Sequence, residues 1–191
     1  VTPTVLLDCD GILTNYAAMT AKVLNSIQSR RVFLEEDITS WEASTFAAPG
    51  AERNRYWDIC KAPGFVKQLP PDVAAQRAVN DLHKVAEVVV VTSYLKGAHT
   101  WTHERDQWLR CHFGIEPSHV IHTRAKVHVL GDVFVDDALK NVVPWGKRRA
   151  GHALLWDKPY NRELGEETGC YRRIHSWDAV FETVERVRRG R

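Results

Sequence analysis

Apolar residues along this chain fall into short unbroken runs that alternate with longer, spaced series. Val5-Leu6-Leu7, Val88-Val89-Val90-Val91, Val133-Phe134-Val135 and Ala153-Leu154-Leu155-Trp156 carry no polar interruption and are too short for helices. Runs of this kind predict strands covered on both faces, as in the centre of a parallel sheet. A further short strand is expected around Val120-Ile121. Between the runs the period changes. Ala17, Ala21, Leu24 and Ile27 recur at helical spacing and predict a helix from Tyr16 to about Arg30. Asp72 is placed to cap a helix whose Val73, Ala78, Val79, Leu82 and Val85 share a face. Ser176 is placed to cap another, bearing Trp177, Val180, Phe181, Val184 and Val187. Two more helices are expected at about 99–113 and 138–145.

One stretch breaks the alternation. From Phe33 to Pro71 aromatics crowd together, and Pro49-Gly50, Pro63-Gly64 and Pro70-Pro71 punctuate them. That composition predicts loops and short helices, forming a small helical insertion over the end of the first strand. Strands alternating with helices imply an α/β fold, a Rossmann-like parallel sheet with helices on both faces and right-handed crossovers. The expected organisation is a core of residues 1–15 and 72–191 with a helical cap, 16–71, inserted after the first strand.

Composition narrows the class. The chain has 191 residues, 44% hydrophobic and 26% charged, which suits one ordered domain with an insertion rather than a disordered chain. A formal charge of +2 gives no argument for nucleic-acid binding. Its one local excess, Arg186, Arg188, Arg189 and Arg191, is better read as closing a helix than as binding a polyanion. Cys9, Cys60, Cys111 and Cys170 lie far apart, so neither a zinc site nor a disulfide framework is expected. No apolar run approaches a membrane span, and the first strand begins too early to leave room for a signal sequence. The expectation is a cytoplasmic protein without a membrane partner. Whether it pairs as a homodimer stays open.

Candidate chemistry lies at the strand ends. The first run stops at Asp8-Cys9-Asp10-Gly11, two carboxylates one residue apart followed by a turn. Such acids repel unless a cation or a shared proton relieves them, and magnesium, which prefers oxygen ligands, is the natural candidate. A second run ends in Thr92-Ser93 and a later one in Asp136-Asp137. In a parallel sheet these ends share one side, where open α/β sheets bind ligands. Lys126, just before the Val133 run, can reach the same crevice. Cations and donors gathered beside acids suit phosphoryl transfer. Taken singly, each has a plain structural explanation: a turn at Asp8–Gly11, helix caps at Thr92-Ser93 and Asp136-Asp137, a surface lysine. Order and joint placement carry the argument.

Asp8-Cys9-Asp10-Gly11, Val91-Thr92-Ser93, Lys126 and Val135-Asp136-Asp137 resemble the four signature motifs of the haloacid dehalogenase superfamily of phosphatases, in their usual order. Within it the chain is similar to the 5'(3')-deoxyribonucleotidases, echoed by Thr92-Ser93-Tyr94-Leu95-Lys96, Thr123-Arg124-Ala125-Lys126 and His175-Ser176-Trp177. The resemblance implies Asp8 as nucleophile and Asp10 as general acid and base, its backbone carbonyl helping to hold Mg²⁺. It implies Asp137 as a magnesium ligand with Asp136 in support, leaving open which of the two touches the metal. Thr92, Ser93, Lys96 and Lys126 would hold phosphate oxygens, with backbone N–H groups around Cys9 to Gly11 forming an anion nest. Tyr16 would stack near the substrate base, or else is a core aromatic. Phe46, Trp57 and Phe65 either shape the cap pocket or pack within it. Cys9, Tyr94 and Ala138 replace the family's usual methionine, proline and basic residue. Tyr94 and Ala138 are expected to border the pocket. Cys9, flanked by acids, is not expected to form a thiolate.

The implied function is a magnesium-dependent phosphomonoesterase for a small phosphate ester, a (deoxy)ribonucleoside monophosphate, acting through an aspartyl phosphate. The alternatives are a phosphatase for a sugar phosphate or nucleic-acid 3'-phosphate, phosphotransfer to another acceptor, and a non-catalytic phosphate-binding module.

Overall fold

The apolar runs pair edge to edge in a single parallel sheet. A computed structural model describes residues 2–148, 152–162 and 169–190. Its strands are β1 (Thr4–Leu7), β2 (Glu87–Thr92), β3 (Val120–His122), β4 (Val133–Asp136), β5 (His152–Trp156) and β6 (Arg172–Ile174), ordered β3-β2-β1-β4-β5-β6. Every pairing is parallel. The order reverses at β1 and β4, which are neighbours in register from Val5 opposite Val133 to Leu7 opposite Val135. A reversal of this kind opens a crevice at the carboxyl ends of the two strands.

Alternation along the strands sorts side chains onto two faces. Val5, Leu7, Val88, Val90, Val133, Val135 and Leu154 join a large core shared with α3 (Val73–Leu82), α4 (Trp101–Phe113) and α6 (Trp177–Arg189). Leu6, Val91, Phe134, Ala153 and Leu155 face the other way, onto Val142 and Trp145 of α5 (Leu139–Arg148). Burial on both faces is what lets the runs stay uninterrupted by polar residues. Among the described residues no helix is long and apolar enough to cross a membrane.

Between β1 and α3 the chain forms α1 (Tyr16–Ile27), α2 (Ala51–Lys61) and short 3-10 turns at Glu35–Asp37, Ala43–Phe46 and Val66–Gln68. Asn15 caps α1 by accepting from the Ala18 N–H at 3.1 Å. Entering and leaving limbs are tied together, since Asn15 N–H donates to the Pro70 carbonyl and Asp72 N–H to the Leu13 carbonyl, each at 2.9 Å.

Several expectations need correction. α1 stops at Ile27, where Gln28 turns extended, rather than at Arg30. Asp72 caps α3 as expected, accepting from Ala75 N–H at 2.8 Å, but Val73 is 61% exposed and Val85 lies beyond the helix end. The buried stripe is Ala75, Ala78, Val79 and Leu82, because Val73 at the first helical position falls on the opposite side. Ser176 occupies the cap position of α6 without a side-chain cap bond. α5 continues to Arg148 despite Pro144 inside it. β6 was invisible because Arg-Arg-Ile reads as polar, which an edge strand tolerates. Arg186, Arg188 and Arg189 sit in the last turn of α6, where cations oppose the helix dipole; Arg191 lies outside the described residues.

Phe134, fully buried in β4 with its ring 5.3 Å from that of Trp145, anchors the smaller core. Phe134→Ala should cost about 3–5 kcal/mol of stability, read from urea unfolding at unchanged m-value.

Candidate active site

β1 delivers the first acids to the crevice. Asp8, just past the strand, keeps the sheet pairing through its N–H to the Val135 carbonyl at 2.9 Å. The chain then curls over the Cys9 carbonyl, which accepts from Leu13 at 2.8 Å and Thr14 at 3.0 Å. Gly11 has φ +82°, and a Cβ there would overlap Asp137 Oδ2 and the Tyr160 hydroxyl. Glycine is what allows this loop to approach the β4 acids so closely.

Lys126 binds the two strand ends together. It sits in a short 3-10 turn, 2% exposed, with Nζ 2.6 Å from Asp8 Oδ1 and 2.8 Å from Asp136 Oδ2. Burial favours a neutral amine, but Asp8 and Asp136 outweigh it and raise the Lys126 pKa above its ordinary value. Asp136 is committed to donors: Lys126, the Ala138 N–H at 2.8 Å and Asn141 Nδ2 at 3.0 and 3.1 Å. Asp137 differs. Tyr160 donates to its Oδ2 at 2.5 Å, while the buried Oδ1 has no hydrogen-bond partner among the described residues.

These acids crowd one another. Oxygens of Asp8, Asp136 and Asp137 lie within 4.8 Å of each other. Burial raises the Asp8 carboxyl to about 7 against the pull of Lys126, with Asp136 and Asp10 adding repulsion. Burial, then Asp8 and Asp136, hold Asp137 well above the usual carboxylate range. An orphaned buried oxygen beside a second strained carboxylate fits a hard cation, and the fit is better at Asp137 than at Asp136, whose oxygens already accept.

Asp10 faces another way. Arg105 Nη2 lies 2.8 and 3.1 Å from its two oxygens, and Thr14 Oγ1 donates to Oδ1 at 3.3 Å. Between the acids, Cys9 Sγ accepts from Arg105 Nη1 at 2.8 Å, and burial pushes the thiol up to about 12. It stays a thiol, as expected. The Cys9 N–H, assigned to an anion nest, instead donates to Asp8 Oδ1 at 2.6 Å.

A cavity of about 600 Å³ opens above this floor, lined by Asp8, Asp10, Ser93, Lys126 and Asp137. Tyr16 and Lys96 line it; Thr92 does not, being fully buried with its hydroxyl turned to the Ser93 carbonyl at 3.4 Å. Ser93 Oγ reaches the Thr123 carbonyl at 3.4 Å. Trp57 and Tyr94 border the cavity, whereas Phe46 packs on Phe33 and Phe65 stacks on Trp101. Ala138 is buried away from it, and the cation at that edge is Lys140, 4.8 Å above the Trp41 ring. Arg105, Trp41, Trp101, Tyr160, Arg124, Lys140 and Asn141 were not foreseen. Tyr160 had a usable signal, since it follows the Ala153–Trp156 run and so belongs to another loop at the same sheet edge. Asn141 did too, one helical turn beyond Asp137.

The family model of the 5' nucleotidase, deoxy (Pyrimidine), cytosolic type C proteins matches residues 2–189. The chain belongs to this family. The nucleotidase is 31% identical over 198 residues to the human 5'(3')-deoxyribonucleotidase, cytosolic type, covering 97% of this chain and 94% of that one. It is 24% identical to the Clostridium acetobutylicum 5'(3')-deoxyribonucleotidase over 168 residues, 84% of each. Solved haloacid dehalogenase-like hydrolases share its fold. One from Geobacter sulfurreducens has a TM-score of 0.56 at 13% identity over 96% of both chains, and one from Xanthomonas campestris 0.55 at 12% over 98% of both. As a member of its family the protein is a phosphoric monoester hydrolase.

Without a metal, the crowded acids make stability depend on pH. The folded state holds the Asp8 proton more tightly than the unfolded chain, so its contribution is present below the ordinary carboxylate range and is lost as pH rises through about 7. Metal-stripped nucleotidase should therefore melt lower at pH 8 than at pH 5.5. Magnesium at a hundredfold excess over its dissociation constant should restore about 2.7 kcal/mol at pH 8 and less at pH 5.5, read by calorimetry.

Proposed function

We propose that this nucleotidase is a magnesium-dependent phosphomonoesterase that hydrolyses a (deoxy)ribonucleoside monophosphate through an aspartyl phosphate on Asp8. The reading is carried by Lys126 bridging Asp8 and Asp136 at the cavity floor, with an unsatisfied Asp137 oxygen in the same cluster. Lys126 and the Cys9 N–H hold Asp8 Oδ1, which leaves Oδ2 to attack phosphorus. As the P–O ester bond breaks, Asp10 protonates the departing oxygen; it then takes a proton from the water that cleaves the aspartyl phosphate. Ser93, Lys96, Arg124 and Lys126 supply donors to the phosphoryl oxygens from the cavity wall. Asp8 and Asp137, with the Asp10 backbone carbonyl, would hold Mg²⁺, which supplies charge neutralisation and orients the phosphoryl group. Asp136 supports them by fixing Lys126 and the start of α5.

Substrate class follows from the wall. Tyr16, Trp41, Trp57 and Tyr94 give the cavity flat apolar surfaces suited to a nucleobase, and its volume suits a small molecule. In this reading residues 16–71 are a cap over a core of 1–15 and 72–191. Cys9, Cys60 and Cys111 form no disulfide among the described residues, in keeping with a reducing cytoplasm.

Phosphate release from a panel of nucleotides and sugar phosphates, with and without a chelator, tests the reading. Nucleoside monophosphates should lead and the chelator should abolish turnover; a sugar phosphate preferred over every nucleotide would end it. Asp8→Asn should lower kcat by about a thousandfold or more while leaving the melting temperature near or above that of the parent.

A further inference from the structure

Arg105 is a fully buried guanidinium in the middle of α4, and its one carboxylate partner among the described residues is Asp10, whose side chain is 30% exposed at the cavity floor. Nη2 spans both Asp10 oxygens and Nη1 reaches Cys9 Sγ, so a single planar group fixes two successive residues of the β1 loop. Lysine, with one nitrogen, has no rigid fork to match this arrangement. The rings of Trp101 and Trp108 lie 5.3 and 5.9 Å from the guanidinium carbon, and Nε has no hydrogen-bond partner among the described residues. A buried ion pair is seldom the most stable filling for such a space, because apolar residues do as well or better. What the charge provides here is an orientation for Asp10.

The same helix face grips the returning limb of the inserted segment. Glu104 accepts from the Gly64 N–H at 2.6 Å, Trp108 Nε1 donates to the Leu69 carbonyl at 2.9 Å, and Trp101 stacks on Phe65 at 6.0 Å. Resting on the acid–base role read for Asp10 above, we propose that Arg105 is a positioning residue that aims the Asp10 carboxyl at the leaving oxygen, and that α4 ties this aim to the placement of the cap. In the step concerned, the bond from Asp8 to phosphorus forms, the ester P–O bond breaks, and its electron pair goes to the leaving oxygen, which takes the proton from Asp10. An alkoxide leaving group needs that proton. p-Nitrophenolate departs without it.

The test compares kcat/KM on a nucleoside 5'-monophosphate and on p-nitrophenyl phosphate for the parent, Arg105→Gln, Arg105→Lys, Asp10→Asn and the Arg105→Gln/Asp10→Asn double variant, all in saturating magnesium. Arg105→Gln should lose about a hundredfold on the nucleotide and less than about fivefold on the aryl ester, the bias expected when a general acid is misplaced. Asp10→Asn should show the same bias, and the double variant should be no worse than Asp10→Asn alone. Arg105→Lys, which keeps the charge, should recover about tenfold of the lost nucleotide activity. Should Arg105→Gln fail to fold, Arg105→Lys decides, with a nucleotide-selective loss of about tenfold supporting the proposal. Equal losses on both esters, or multiplying losses in the double variant, would overturn it. A bias for Asp10→Asn without one for either Arg105 variant removes Arg105 alone; no bias for Asp10→Asn removes the acid–base reading beneath it.

Discussion

Lys126 places one buried positive charge between carboxylates from two different strands, and the organisation of the catalytic edge follows from it. Asp8 follows β1 and Asp136 ends β4, and these strands are the neighbours at which strand order reverses. Without the ammonium, two acids would face each other in a site that water barely reaches, a costly arrangement at neutral pH. With it, Asp136 is fixed against Lys126, the Ala138 N–H and Asn141 at the start of α5, and Asp8 is held at one oxygen. The remaining unbalanced charge falls on Asp8 and Asp137, where a divalent cation fits. Repulsion left over after folding is thus what the site would offer a divalent cation.

Three further contacts divide the acids by task. Tyr160 holds one oxygen of Asp137, Arg105 holds Asp10, and the Cys9 N–H shares Asp8 with Lys126. Each acid is held by a different set of partners, which is what the proposed roles of ligand, nucleophile and proton carrier require of carboxylates so close together. Gly11 makes the crowding sterically feasible. The mouth is built by other elements: Trp41 from the inserted segment meets Tyr160 ring to ring at 5.5 Å and lies under Lys140, so the roof touches the residue that steadies Asp137.

How much of this was legible before the structure depended on the range of the interaction. Asp8, Asp10, Asp136 and Asp137 were readable because they end apolar runs, a local pattern that topology then converges. Lys126 was readable only by its order relative to those runs. Arg105 was not, since its partner lies 95 residues away and a charge within a helix ordinarily faces solvent. Its neighbours Trp101, Trp108 and Leu109 do mark the position as inward. Thr92 was read as a phosphate contact from its strand-end position and the motif, and the structure has it fully buried with its hydroxyl on the Ser93 carbonyl. Ala138, expected to border the pocket, is instead buried with its N–H on Asp136, and Lys140 two residues on lines the cavity. β6 and the early end of α1 escaped for the ordinary reason that short polar strands and helix ends carry little pattern.

The central claim, that Asp8 takes the phosphoryl group while Lys126 and a magnesium ion contain its charge, is most directly tested by trapping. Acid-quenched enzyme turning over a nucleoside monophosphate with magnesium should yield a phosphorylated peptide containing residues 4–15. Borohydride reduction should convert Asp8, and no other acid, to homoserine in a chelator-sensitive manner. Turnover with no phosphorylated Asp8 under rapid quench, or with the label on Asp10, Asp136 or Asp137, would contradict the account.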